Sequence, residues 1–114
     1  MKVIFHVDER NKWGMVLANI SNMIDYYRNS GEAYEIEAVA NGEAVADYVP
    51  SKENPYQEQM NGLAAAGVTF AACGNALRGQ QIPESELPGF VTVVPAGVVE
   101  LAGKQAEGFA YIRP

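Results

Sequence analysis

The stretch Gly67-Val68-Thr69-Phe70-Ala71-Ala72-Cys73-Gly74-Asn75-Ala76-Leu77 decides the fold. Val68 to Ala72 is a short apolar run with a glycine before it. That is how a strand covered on both faces looks. Cys73-Gly74-Asn75 reads as a turn, and Ala76-Leu77 opens a short helix. A buried strand that passes at once into a helix is half of a βαβ unit, whose strands lie parallel.

The same grammar recurs on both sides. Val3 to Val7 is an apolar, β-rich run, followed by polar residues to Lys12. Trp13, Val16, Leu17, Ile20, Ile24 and Tyr27 then recur at steps of three and four, a helix period. Asn11 is read as its N-cap and Gly31 as its C′ residue. Tyr34 to Ala40 is a second strand, in which Glu35 and Glu37 alternate with Ile36 and Ala38 as if one face were partly wet. Asn41-Gly42 is a turn signal, and Glu43 to Tyr48 a short helical segment. Pro50 to Asn54 is a loop, and Asn54-Pro55 is an N-cap and N1 pair opening a helix through Met60, Leu63 and Ala64, which Gly67 ends. Beyond Leu77, Gly79 to Gly89 is mostly loop, with one helical turn at Pro83-Glu84-Ser85-Glu86. Phe90 to Val94 is the fourth strand. Pro95-Ala96-Gly97 leads into a helix over Val98 to Gln105, Gly108 breaks it, and Phe109 to Ile112 is the last strand. The expectation is an α/β fold: a three-layer α/β/α sandwich with a mainly parallel five-stranded sheet, forming one domain over residues 1–114.

Composition removes many chemistries. The chain has 114 residues, 48% hydrophobic and 19% charged, too apolar for a disordered chain. A single cysteine rules out an intramolecular disulfide and a thiolate zinc site, and a single histidine rules out a multi-imidazole one. No G-x-S-x-G surrounds any serine, and neither a P-loop nor a G-x-G-x-x-G is present. Asp8-Glu9-Arg10-Asn11-Lys12 stands where a flavodoxin-type phosphate loop would need serine and threonine. No metal or cofactor is expected. The formal charge of −6, with its scattered basic residues, argues against nucleic acid and an anionic membrane surface as partners. No apolar stretch reaches the roughly 18 residues that span a bilayer, and the N-terminal run meets Asp8 and Glu9 too soon for a signal peptide. A cytoplasmic protein with a free thiol is expected.

Ligands of open parallel sheets sit beyond the carboxyl ends of the strands, where helix N-termini and strand-to-helix loops gather. Here those loops are His6-Val7-Asp8-Glu9, Ala40-Asn41-Gly42, Ala72-Cys73-Gly74-Asn75 and Pro95-Ala96-Gly97. The one histidine and the one cysteine both fall among them. Cys73, before a helix N-terminus, has a position that favours a nucleophilic thiolate; equally, a free cysteine can be a small buried hydrophobe. Gly74 allows close backbone approach, and Asn75 can cap or bind. His6 is either a proton donor or base, or a strand-end histidine satisfied by backbone. Asp8 and Glu9 are functional acids or first-turn carboxylates. Asn41 and Gly42 contact a ligand or only turn the chain, and Gly97 supplies helix N–H donors for an anion. Trp13 and Tyr27 read as core.

Val3-Ile4-Phe5-His6-Val7-Asp8-Glu9, Val39-Ala40-Asn41-Gly42, Gly67 to Asn75, Val94-Pro95-Ala96-Gly97-Val98-Val99-Glu100-Leu101 and Gln105 to Tyr111 together resemble the DsrE/DsrF-like (DsrEFH-like, YchN-like) family, in its small single-domain branch. The resemblance spans nearly the whole chain. It implies a three-layer α/β/α fold and homo-oligomers, trimers or hexamers. Some relatives carry sulfur as a cysteine persulfide in sulfur oxidation or tRNA thiolation relays, beside dedicated partner subunits. Cys73 matches the branch's Ala-Cys-Gly-Asn stretch, so the resemblance implies a persulfide role for it, with a sulfur-relay protein as partner. Two functions are therefore carried forward. One is sulfane-sulfur handling on Cys73, tuned by His6 and Asn75. The other is a non-catalytic oligomeric module that binds a small anion or metabolite at the same sheet edge.

Overall fold

A computed structural model of the chain describes residues 1–51 and 54–114. Five strands, β1 (Lys2–Val7), β2 (Glu35–Ala40), β3 (Thr69–Cys73), β4 (Val91–Val94) and β5 (Ala110–Ile112), form one sheet in the order β4-β3-β2-β1-β5. Every pairing is parallel. The helices are α1 (Trp13–Ser30), α2 (Gln57–Ala65), α3 (Gly74–Gly79) and α4 (Gly97–Ala106).

The strand order explains the layers. From β1 to β4 the chain steps across the sheet in one direction. It then returns past the starting strand to lay β5 on the far side of β1. Crossovers between parallel strands are right-handed, so reversing direction moves the connecting helix to the opposite face. Accordingly α1, α2 and α3 pack on one face, burying Phe5, Trp13, Leu17, Ile36, Tyr48, Met60, Phe70 and Leu77. On the other face α4 covers a smaller core of Ile4, Val39, Ala71, Val94, Leu101 and Phe109. Tyr48 anchors the thick side: its hydroxyl donates to the backbone carbonyl of Ala71 across 3.0 Å, while Trp13 Nε1 donates to Ala44.

Local expectations hold with instructive exceptions. Gly31 ends α1 in the left-handed region (φ 77°), and its N–H reaches the Tyr27 carbonyl, as a C′ glycine should. Asn11 does not cap α1; it lies inside a 3₁₀ turn, Arg10–Lys12, that feeds the helix directly. Glu43 to Tyr48 is helical but 3₁₀, over Gly42–Tyr48. The helix expected from Asn54-Pro55 starts later, at Gln57; Asn54 Oδ1 instead accepts from Tyr56 N at 2.8 Å, ordering the turn before it. The loop expected over Pro50 to Asn54 lies partly outside the described residues. Cys73 is the last residue of β3 and Gly74 the first of α3, so no separate turn intervenes. Among the described residues, no helix is long and apolar enough to cross a membrane.

The largest departure concerns Glu37. Its alternation with Ile36 and Ala38 reads as a solvated face, yet the residue is buried. The helix that covers it begins some sixty residues later at Gly97, so strand periodicity carries no sign of it.

Candidate functional site

At the carboxyl edge of the sheet, Cys73, Asn41 and Gly97 converge. A Cβ added to Gly97 would sit 3.3 Å from Cys73 Cβ, 3.2 Å from Asn41 Cβ and 3.5 Å from Asn41 Nδ2. The N-terminus of α4 is thus pressed onto the ends of β2 and β3, and only a residue without a side chain fits there comfortably. The dipole and unpaired N–H groups at this helix end favour negative charge. Read from the sequence, Gly97 supplies anion-binding N–H donors, but the stabilisation of the thiolate falls to the helix after Cys73. That helix, α3, has only six residues, and the ten-residue α4 is better placed for the task. Cys73 is 6% exposed.

His6 joins the cluster one strand away. Its Nε2 lies 3.0 Å from Asn41 Oδ1, and its Nδ1 lies 2.7 Å from the Tyr111 hydroxyl. With an amide oxygen as partner, Nε2–H donates to Asn41, and in the neutral ring Nδ1 accepts from Tyr111 O–H. His6 is therefore satisfied by two side chains rather than by backbone. Cys73 and His6 lie on strands separated by β2, roughly 10 Å apart at the 4.7–4.9 Å strand spacing. Asn41 stands between them. Tyr111, which sequence reasoning did not select, is recruited because β5 returns beside β1, with Tyr111 in register with Ile4.

The other expected residues divide. Asp8 is held by Arg113, whose Nη2 lies 3.0 Å and 3.2 Å from its two carboxylate oxygens, so it ties the residues after β1 to those after β5. Gly42 has a positive φ of 54°, and a Cβ there would stand 3.2 Å from the Asp8 carbonyl. Its role is to let two loops touch. Gly74 packs against the Val94 and Pro95 carbonyls, where a Cβ would meet them at 3.1 Å and 3.4 Å. Asn75 is exposed and its amide oxygen accepts from Arg78 on the same helix. Among the described residues, no three of His, Cys, Asp and Glu gather where they could hold a metal ion.

A second polar feature lies beneath α4. Burial first, then the neighbouring Glu100, push the Glu37 carboxyl up to about 8, with Lys104 opposing. Its Oε1 is 3.8 Å from Lys104 Nζ, and Lys104 also sits 5.2 Å above the Phe109 ring. An apolar groove of about 440 Å³ lies elsewhere, between α1 and β5, where Met23, Tyr26 and Tyr27 face Phe5 and Ile112. None of the edge residues lines it.

Comparison with known proteins agrees with this architecture. The DsrE/DsrF-like family is matched over residues 1–114. A protein of unknown function from Methanobacterium thermoautotrophicum, MTH1491, is 32% identical, with 99% of this chain and 98% of that chain covered at a TM-score of 0.86. The ychN protein from E. coli superposes at a TM-score of 0.75 with 17% identity, covering 100% of this chain and 99% of that one. BT1422 from Bacteroides thetaiotaomicron, a conserved protein of unknown function, gives 0.75 with 14% identity over 99% of this chain and 94% of its own. The last two likenesses speak to the fold alone. No curated protein matches the chain.

Proposed function

The chain belongs to the DsrE/DsrF-like family, and on that premise we propose that it handles sulfane sulfur in the cytoplasm, carrying it as a persulfide on Cys73. The observation that supports this reading is the convergence of Cys73, Asn41 and the N-terminus of α4 at Gly97. In the step proposed, the Cys73 thiolate attacks the terminal sulfur of a donor persulfide. The donor's S–S bond breaks, the donor leaves as a thiolate, and a new S–S bond forms on Cys73, with no net oxidation. An acceptor thiolate on a relay partner takes the sulfur by the reverse displacement. The α4 N-terminus and the Asn41 amide favour the negative charge on the carried sulfur.

Incubation with a persulfide donor followed by intact-mass measurement tests the reading. A gain of about 32 Da, the mass of one sulfur, is expected, and it should disappear in Cys73→Ser. No adduct, or an adduct that survives in Cys73→Ser, overturns it. The burial of Cys73 favours a second reading, in which the thiol is inert packing and the same edge binds a small anion or metabolite. Anion-dependent stabilisation that is equal in Cys73→Ser and the native chain would support that one.

Self-assembly is part of the proposal. Val98 and Val99 on the outer side of α4 are 66% and 67% exposed, an apolar pair that a second copy would cover. The family suggests a trimer or hexamer. Light scattering on the purified chain should give a multiple of 12.3 kDa; a monomer refutes it.

A further inference from the structure

We propose that α4 is a proton-controlled cover over Cys73, seated while the Glu37 carboxyl beneath it is neutral and loosened when that carboxyl ionises. The proposal deepens the sulfur-handling reading and rests on it for its purpose, though not for its mechanism.

Both ends of the argument lie on one helix. At its N-terminus, Gly97 presses against Cys73, which is 6% exposed, so movement of α4 would open a way to the thiol. One turn further, Leu101 buries into the core of that face. In the next turn the helix crosses Glu37, whose side chain is 6% exposed. Among the described residues, Glu37 Oε2 is fully buried without a hydrogen-bond partner. Oε1 is 3.8 Å from Lys104 Nζ, too long for a good hydrogen bond, and Glu100 faces the carboxyl as a second acid. An ionised carboxylate left this way is costly, whereas a neutral carboxyl can donate its proton to Glu100 and close the seat.

The charged groups around Glu37 point the same way. From α4 come Glu100, which repels the ionised form, and Lys104, which attracts it. From its own strand comes Glu35, a further like charge. From the opposite face comes Tyr48, whose own ionisation is pushed up by burial and by Glu37. Its register neighbours, Ile4 on β1 and Thr69 on β3, do not titrate in this range. One attractive charge against two repulsive ones, in a buried setting, leaves the neutral form favoured up to about pH 8. The seat therefore weakens as pH climbs from the ordinary carboxyl range toward about 8.

The test is the rate of Cys73 alkylation by iodoacetamide in the full chain and in Glu37→Gln, which keeps a neutral side chain of the same shape at every pH. Taking the ratio of the two rates cancels the thiol's own pH dependence. The ratio of the full chain's rate to the variant's is expected to be lowest at about pH 5, to rise about tenfold by about pH 8 and to level off above it, equivalent to ~1.4 kcal/mol in the opening equilibrium. Hydrogen-exchange protection of α4 amides, compared between the two chains at matched pH, should diverge over the same range. A ratio that stays flat within about twofold, or equal protection at high pH, overturns the proposal. Should Glu37→Gln fail to fold, Glu100→Gln serves instead. Removing that like charge should flatten the alkylation profile, and an unchanged profile overturns the idea. The two readings fail separately: a rising ratio with no sulfur adduct keeps the cover and removes the relay. An adduct with a flat ratio does the reverse.

Discussion

The two faces of the sheet solve burial differently. On one, three helices and a 3₁₀ segment seal Trp13, Tyr48 and Phe70 into an aromatic cluster, with ring centroids 5.2 Å apart for Trp13–Tyr48 and 6.3 Å for Tyr48–Phe70. On the other, α4 alone covers a small core beside a buried carboxyl group, and that cover touches Cys73 and Glu37. The difference separates two tasks. The thick face holds the fold; the thin face keeps little enough stability in reserve to move, as segments that gate a site must.

The comparison can be broken most directly in the thick core. Phe70→Ala should cost about 3–5 kcal/mol, by lost burial and the cavity left among Trp13, Tyr48 and Phe90, measured by urea unfolding. Leu101→Ala on the thin face should cost less, about 2 kcal/mol, because a single helix can settle into the space. Equal losses at the two sites would erase the distinction between the faces.

A third prediction concerns pH. Folding raises the Glu37 carboxyl from its ordinary 4.5 to about 8, so the folded chain holds a proton that the unfolded chain releases. Stability from this group is complete below the unfolded value and is lost as pH climbs through the folded one. Melting temperature should therefore fall across that window in the native chain, and fall less in Glu37→Gln. The smallest effect belongs to Tyr111→Phe. Losing the hydroxyl that donates to His6 Nδ1 should cost no more than about 1 kcal/mol in thermal unfolding, since water can replace it at an exposed position. It should, however, shift the nitrogen resonances of the one imidazole in the chain. Unmoved resonances would dissociate Tyr111 from the edge cluster.

Much of this architecture is legible in the residues, and the illegible part has a physical reason. Cys73, Asn41 and Gly97 could be placed at the carboxyl edge of the sheet because strand-to-helix junctions reveal themselves locally, through an apolar run meeting glycine or asparagine. The convergence of Gly97 on both could not, since it depends on where a distant crossover lands. The same holds for Glu37, whose cover arrives from far along the chain, and for Tyr111, whose neighbour His6 is 105 positions away. Asn11 and Asn54 show a smaller version of the lesson. Each has the side chain of a cap, but the backbone first makes a 3₁₀ or simple turn, which delays the helix.

The return of β5 to the side of β1 also decides what residues 97 to 112 must cover. The strands β1 to β4 and their three helices are made of near neighbours in sequence. They can collapse first, because short loops close at little entropic cost. At that stage Ile4, Val39 and Ala71 form a bare apolar strip on the far face, with the β1 edge unpaired. In the finished fold residues 97 to 112 cover strip and edge together. The segment pressed onto the thiol is therefore part of the same stretch that hides an apolar strip and an unpaired strand edge, two features that invite aggregation when bare.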